Sequence, residues 1–184
     1  MTCIVGLVDK SNIYLGGDSS GINASNLSIS IRNDVKVFIN GPFIMGFTTS
    51  FRMGQLLQYK FDPPKQTAAQ DDMKYMVTDF IDSVRQCFAY NGFGSMSDKA
   101  DNVGGNFLVG YNGTLYNIDS DFQVGIPKCG YDSVGCGSDL ALGSMYSTVG
   151  KKPEDRITKA LEAASQFSAG VAPPFLILKL PKTK

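Results

Sequence analysis

The sequence contains no histidine. That absence removes Ser-His-Asp and Cys-His triads, imidazole general bases and most catalytic zinc sites, because each needs a ring that titrates near neutrality or ligates metal. The four cysteines, Cys3, Cys87, Cys129 and Cys136, have no C-x-x-C spacing and lie far apart. They are expected as reduced core or site thiols, so neither a disulfide frame, a metal site nor any other cofactor is expected. Net charge is missing too: 17 basic residues balance 17 acidic ones, which recommends neither nucleic acid nor an anionic membrane as partner. No run approaches the roughly 18 apolar residues of a membrane span, and the start, MTCIVGLVDK, lacks the charged head and long apolar stretch of a secretory signal. A cytoplasmic protein is expected.

What is present suits one domain over residues 1–184, with 43% hydrophobic residues to build a core. Residues 2–8, TCIVGLV, are apolar and rich in β-branched side chains; after the turn at 9–12 a second run, IYLGG, ends before Asp18. This predicts a hairpin that starts at the head of the chain. Strands over 35–40 and 43–48 pair across Asn40-Gly41-Pro42, and strands over 106–111 and 114–119 across Asn112-Gly113. One helix is predicted over 51–59 and a second after Pro63-Pro64. In the second, Met73, Met76, Val77, Phe80, Val84, Cys87 and Phe88 recur at three- and four-residue spacing as a core-facing stripe. A Gly-, Ser- and Asp-rich loop over 91–105 has a length that often borders a site or interface. Further helices follow Ser138-Asp139 and open at Pro153, and a last strand spans 175–180. The order suggests an α+β fold of two antiparallel sheets packed together and covered by helices; pattern alone leaves other α+β arrangements open.

Without histidine, a hydroxyl can still be activated by a threonine whose own amine is the chain terminus. An α-amine has a reference pKa of about 7.7–8.0 and takes the hydroxyl proton directly or through water. The chain begins Met-Thr, and methionine before a residue as small as threonine is generally removed. A nearby lysine would favour the neutral amine and stabilise developing negative charge, and an aspartate would orient that lysine. Asp18 and Lys36 can do this if their strands neighbour the first. Singly, each has a plainer reading: Asp18 as a strand-end turn former, Lys36 as an edge-strand lysine. Cys3 reads as a small buried side chain. Gly135-x-Gly137 before a helix lacks the third glycine and the Gly-Lys-Ser/Thr of a phosphate loop, so nucleotide binding is not expected.

Five segments occur in one order: Thr2-Cys3-Ile4-Val5-Gly6, Gly16-Gly17-Asp18, Val35-Lys36-Val37-Phe38, Ile44-Met45-Gly46-Phe47 and Val134-Gly135-Cys136-Gly137. Together they resemble the N-terminal-nucleophile hydrolases of the proteasome β-subunit type, and most nearly the bacterial HslV peptidase. The resemblance implies a four-layer αββα sandwich and a threonine-type peptidase or amidase. It makes Thr2 the nucleophile, Lys36 and Asp18 its electrostatic partners, and the Gly46 N–H the oxyanion donor, with Ser20 and Met45 beside the substrate's side chain. It also implies a homo-oligomeric ring, peptide or unfolded-protein substrates and an ATP-dependent unfoldase as partner.

Two supporting positions depart from that pattern. Cys136 stands where the family has a serine at the nucleophile's amine, with Ser138 two residues on as a substitute. Gln166 and Ala169 stand where it has an aspartate and a serine. These departures open a second reading, a structural or assembly subunit that keeps the fold after losing the chemistry, such as a phage or mobile element carries. A third, an amidase on a small non-peptide substrate, shares the same nucleophile. If Met1 stays, its peptide bond blocks the amine.

Overall fold

A computed structural model describes residues 1–23, 25–26, 28–93 and 105–182. The strands are β1 (Ile4–Val8), β2 (Asn12–Gly17), β3 (Ser20–Asn23), β4 (Ser28–Ile31), β5 (Val37–Asn40), β6 (Phe43–Phe47), β7 (Phe107–Tyr111), β8 (Thr114–Ile118), β9 (Val124–Gly125), β10 (Tyr131–Val134) and β11 (Leu176–Pro181). The helices are α1 (Phe51–Tyr59), α2 (Asp72–Tyr75), α3 (Ile81–Tyr90), α4 (Ser138–Ser147) and α5 (Pro153–Phe167). Antiparallel pairing gives a four-stranded sheet in the order β10-β1-β2-β11 and a five-stranded sheet in the order β5-β6-β7-β8-β9, with β3 and β4 as a separate hairpin. That hairpin has a period-two signal in Ser28-Ile29-Ser30-Ile31, although all four residues are exposed.

The central strands are apolar at both parities because both of their faces are covered. Ile4, Ile13, Leu15, Val37, Ile44, Leu108 and Leu115 meet between the two sheets. Their neighbours of opposite parity in the first sheet, Cys3, Val5, Leu7 and Tyr14, turn outward onto Ala141 and Met145 of α4 and Ile157 and Leu161 of α5. In the second sheet Phe43, Met45, Phe47, Val109 and Tyr116 turn outward onto Met53 and Leu56 of α1 and Val84 of α3. The result is four layers, helix, sheet, sheet and helix, as expected. Glycine sets how closely the sheets approach: a Cβ on Gly110 would lie 2.5 Å from Ile44 Cγ2 and 2.7 Å from Ile13 Cγ2.

The expected stripe along the second helix needs correction. Between α2 and α3 the chain is π-helical over Met76–Phe80. A π turn holds one extra residue, so it rotates the buried face relative to a regular 3.6-residue period. Tyr75, Met76, Phe80, Ile81, Val84 and Phe88 are buried, whereas Met73 and Val77 are 40% and 43% exposed. Phe80→Ala should therefore cost about 3–5 kcal/mol and Val77→Ala under about 0.5 kcal/mol in urea denaturation. Equal costs would show that the π segment does not persist in solution. Residues 94–104, most of the expected 91–105 loop, lie outside the described residues.

Candidate active site

Strand register brings three chain segments to one end of the sandwich. Ile4 pairs with Gly17, so Cys3 faces Asp18 one step beyond the ladder. The Cys3 N–H donates to Asp18 Oδ1 at 2.9 Å, and the Asp18 N–H returns to the Cys3 carbonyl at 3.4 Å. Lys36 immediately precedes β5 on the facing sheet, where its carbonyl accepts from the Phe47 N–H at 3.1 Å. Its Nζ crosses the sandwich to Asp18 Oδ1 at 2.9 Å. The condition that the lysine strand neighbours the first is met across the sandwich, since β5 lies in the layer opposite β1 and β2. Gly17 lets the two layers approach beside that crossing, since a Cβ there would sit 2.9 Å from Ile4 Cδ1 and 3.1 Å from Val37 Cγ1.

The Lys36 and Asp18 side chains are 1% and 0% exposed. Burial pushes the Lys36 ammonium below the ordinary lysine range, and the Asp18 carboxylate pulls it back up. The second carboxylate oxygen, Oδ2, accepts the Ser20 N–H at 2.9 Å, the Ala172 N–H at 3.4 Å and the Ser20 hydroxyl. That hydroxyl also lies 2.7 Å from the Gly170 carbonyl. Ser20, expected beside the substrate's side chain, is placed by the structure as a fully buried clamp on Asp18.

Cys3 is buried, with its Sγ 3.7 Å from Ser133 Oγ. Burial pushes the thiol up to about 12, and the Asp18 charge adds to that rise. A thiol whose folded pKa is raised contributes stability that is fully present below its ordinary 9.0 and lost as pH climbs towards 12. The loss is at most about 1.4 kcal/mol per pH unit, and Lys36, with its lowered pKa, acts with the opposite sign up to the ordinary lysine value. Cys3→Ala should abolish the Cys3 part of the alkaline decline when urea unfolding is compared at neutral and alkaline pH. In the native protein a disulfide reagent should label the exposed Cys129 and Cys136 rapidly and reach Cys3 only on unfolding.

Thr2 sits against the turn that leads into α4. Its backbone N–H donates to Cys136 Sγ at 3.3 Å, its carbonyl accepts the Gly137 N–H at 3.3 Å, and its hydroxyl donates to the Met1 carbonyl. Gly135 makes this approach possible: its φ is +102°, and a Cβ there would lie 2.2 Å from the Thr2 carbonyl oxygen. Cys136 Sγ is also 3.4 Å from Ser168 Oγ. Ser138 is the first residue of α4. Gln166 is exposed near the end of α5; the residue that reaches the Thr2 nitrogen through Cys136 is Ser168, which sequence reasoning passed over although it lies two residues from Gln166.

A cavity of about 460 Å³ adjoins Thr2, bounded by Met1, Thr48, Thr49, Asn106, Asn117, Ser133, Val134, Gly135, Cys136 and Ser138. Met45 and Gly46 are not part of its wall. The period of two along β6 sends Met45, wholly buried, to the helix side of its sheet. Because the Phe47 N–H faces β5, alternation turns the Gly46 N–H towards β7 rather than Thr2. A Cβ on Gly46 would meet Ile4 Cγ2 at 2.6 Å, so close packing accounts for this glycine. The cavity wall begins beyond the strand. Thr49 has φ +64°, and the Ser50 N–H bonds the Thr48 carbonyl across it at 2.7 Å, a γ-turn. Such a conformation is uncommon for a β-branched residue and clusters at functional sites. The Thr49 N–H donates to no group among the described residues. A larger cavity of about 760 Å³, at the opposite end of the five-stranded sheet, contains none of these residues.

No protein-family model and no curated protein sequence matches this chain. Solved structures do match. The chain is similar to BPH of Thiobacillus denitrificans in complex with epoxomicin, with TM-score 0.79 at 14% identity over 99% of this chain and 100% of that one. It is similar to eukaryotic HslV from Trypanosoma brucei, with TM-score 0.68 at 15% identity over 97% and 99% of the two chains. Anbu, an ancestral beta-subunit from Yersinia bercovieri, gives TM-score 0.66 at 14% identity over 97% of this chain and 81% of its own. At such identities the likeness is one of fold, and the fold is the HslV-like, proteasome β type.

Proposed function

We propose that this chain is a threonine-type peptidase or amidase in which Thr2 becomes the nucleophile once Met1 is removed. The observation that carries this reading is the buried Asp18–Lys36 pair, joined through the Cys3 N–H to the residue after Thr2, in a chain without histidine. The freed amine takes the Thr2 hydroxyl proton, directly or through water, and Oγ1 attacks the substrate carbonyl carbon. Lys36 disfavours a charged amine by like-charge repulsion and stabilises the negative charge that develops. The Thr49 N–H takes the oxyanion-donor role first expected of Gly46, a contribution on the order of 3 kcal/mol for a well-aimed donor. Collapse of the tetrahedral intermediate expels the amine product and leaves an ester on Thr2. Water then hydrolyses that ester with the same amine as base. Cys136 offers that amine a weaker hydrogen bond than a serine would.

The test is an intact-mass measurement on natively expressed protein, followed by treatment with epoxomicin, the compound bound by the Thiobacillus denitrificans protein. Loss of Met1 and a single adduct are expected, with no adduct on Thr2→Ala and peptide hydrolysis reduced by at least about 1,000-fold in that variant. Retained methionine, or an adduct that survives Thr2→Ala, would sink the nucleophile assignment.

A homo-oligomeric ring in the cytoplasm, taking unfolded protein from an ATP-dependent unfoldase, belongs to the same proposal. Exposed Leu140, Tyr146, Val149 and Phe167 on and beside α4 and α5 support self-association. No helix among the described residues is long and apolar enough to cross a membrane. Cys136 and the exposed Gln166 favour a second reading, a structural subunit without activity. Assembly by light scattering with no epoxomicin adduct would select it.

A further inference from the structure

We infer that the cavity beside Thr2 receives a substrate side chain rich in hydrogen-bond donors, a primary carboxamide or an ammonium, next to the bond that is cut. This rests on the hydrolase reading for which bond is cut, but its argument comes from the cavity wall. Thr48, Thr49, Asn106, Asn117, Ser133 and Ser138 supply most of that wall, which includes no lysine, arginine, aspartate or glutamate.

Two carboxylates behind the wall fix which way its amides face. Asn106 Nδ2 donates to Asp119 Oδ1 at 2.8 Å, and Asn117 Nδ2 donates to Asp132 Oδ2 at 2.9 Å. Either amide turned over would set oxygen against a carboxylate, so in both the carbonyl oxygen is the atom left to accept. Asn117 Oδ1 is buried and has no partner among the described residues. Thr48 Oγ1 is already committed, donating to the Asn106 carbonyl at 2.8 Å and accepting the Asn106 N–H at 3.2 Å, which holds Asn106 in place. Apart from the Thr49 N–H, which the oxyanion takes in the hydrolase reading, the wall therefore offers hydroxyls and an amide acceptor, with the negative charges of Asp119 and Asp132 behind them. The nearby cation, Lys36, is matched by Asp18. Asn117 Oδ1 is closed off behind the wall, but the Asn106 amide oxygen accepts from no group among the described residues; an apolar group would leave that oxygen without a donor and a carboxylate would add repulsion to it, whereas a donor-bearing group answers both.

The experiment has two arms. Hydrolysis of an equimolar peptide mixture, read by mass spectrometry, should show Gln, Asn or Lys enriched about tenfold over Leu or Glu at one position flanking the cut. Calorimetric binding to Thr2→Ala protein needs no turnover: hexapeptides differing only in Gln, Lys, Leu or Glu should bind with Gln or Lys about tenfold tighter than Leu. A lead for Lys assigns the preference to the two carboxylates, and a lead for Gln to the amide oxygens. Asn106→Leu in the same background, with its fold checked by circular dichroism, should bring the Leu peptide level or ahead. Equal affinity across the series in the Thr2→Ala protein, or a preference for Leu or Glu, overturns the inference whatever the variant does. Preferential binding without cleavage or epoxomicin adduct would instead overturn the hydrolase reading and leave the donor preference standing.

Discussion

Asp18→Ala is expected to lower stability by about 3–5 kcal/mol, seen as a fall in the urea midpoint. The carboxylate accepts from Lys36 Nζ and from the N–H groups of Cys3, Ser20 and Ala172. Its loss strands an ammonium that is 1% exposed, together with three backbone donors. Lys36→Met should cost less, because the remaining carboxylate keeps those backbone N–H groups. The double variant Asp18→Asn/Lys36→Met, which removes both charges and keeps side chains of similar size, should be more stable than Asp18→Ala alone. A cost below about 1 kcal/mol for Asp18→Ala would mean that the pair is hydrated in solution and does not hold the two sheets together.

The second large effect is kinetic. Gly135→Ala should slow epoxomicin labelling of Thr2 by about 100-fold, the scale of penalty for a reacting group displaced by roughly 1 Å. The added carbon would lie 2.2 Å from the Thr2 carbonyl oxygen, a backbone atom that has no rotamer to escape into, and φ at +102° is unfavourable for alanine in any case. Gly143→Ala is the control: it lies in α4 with nothing within 4 Å of the new carbon, and should raise stability by about 0.5–1 kcal/mol. Labelling of Gly135→Ala at the wild-type rate would show that the turn at 135 does not position Thr2.

Much of the fold was legible because its cues are local. Asn112-Gly113 marks its hairpin, Pro153 opens α5, and the turn after β1 sets the register that places Cys3 against Asp18. Three things depended on information a linear pattern lacks. Which face of β6 points to the helices is decided by the whole sheet, so a linear pattern does not show that Thr48 and Thr49, just past the strand, line the cavity beside Thr2 and that Met45 and Gly46 do not. A π turn leaves no mark in the spacing of apolar residues, so Met73 and Val77 were counted as core. Ser168 is a small hydroxyl residue whose partner, Cys136, comes from a distant segment, and Ser20 adds to its local bonds with Asp18 one to the distant Gly170 carbonyl. The five-segment resemblance points to Thr2, Asp18 and Lys36 as a group, and the strand ends then hold Cys3 and Lys36 against Asp18 Oδ1.

Asp18 and Lys36 are only 18 positions apart in the chain but belong to opposite layers, and the path between them carries the β3–β4 hairpin. The contact therefore cannot form within one sheet. It has to wait for the closure of the two layers on Ile4, Val37 and Ile44. A chain leaving the ribosome, or one that has collapsed without docking its layers, holds Thr2 with no charge pair behind it. In the hydrolase reading, Thr2 therefore gains its charge pair only once the layers have docked, a delay set by topology.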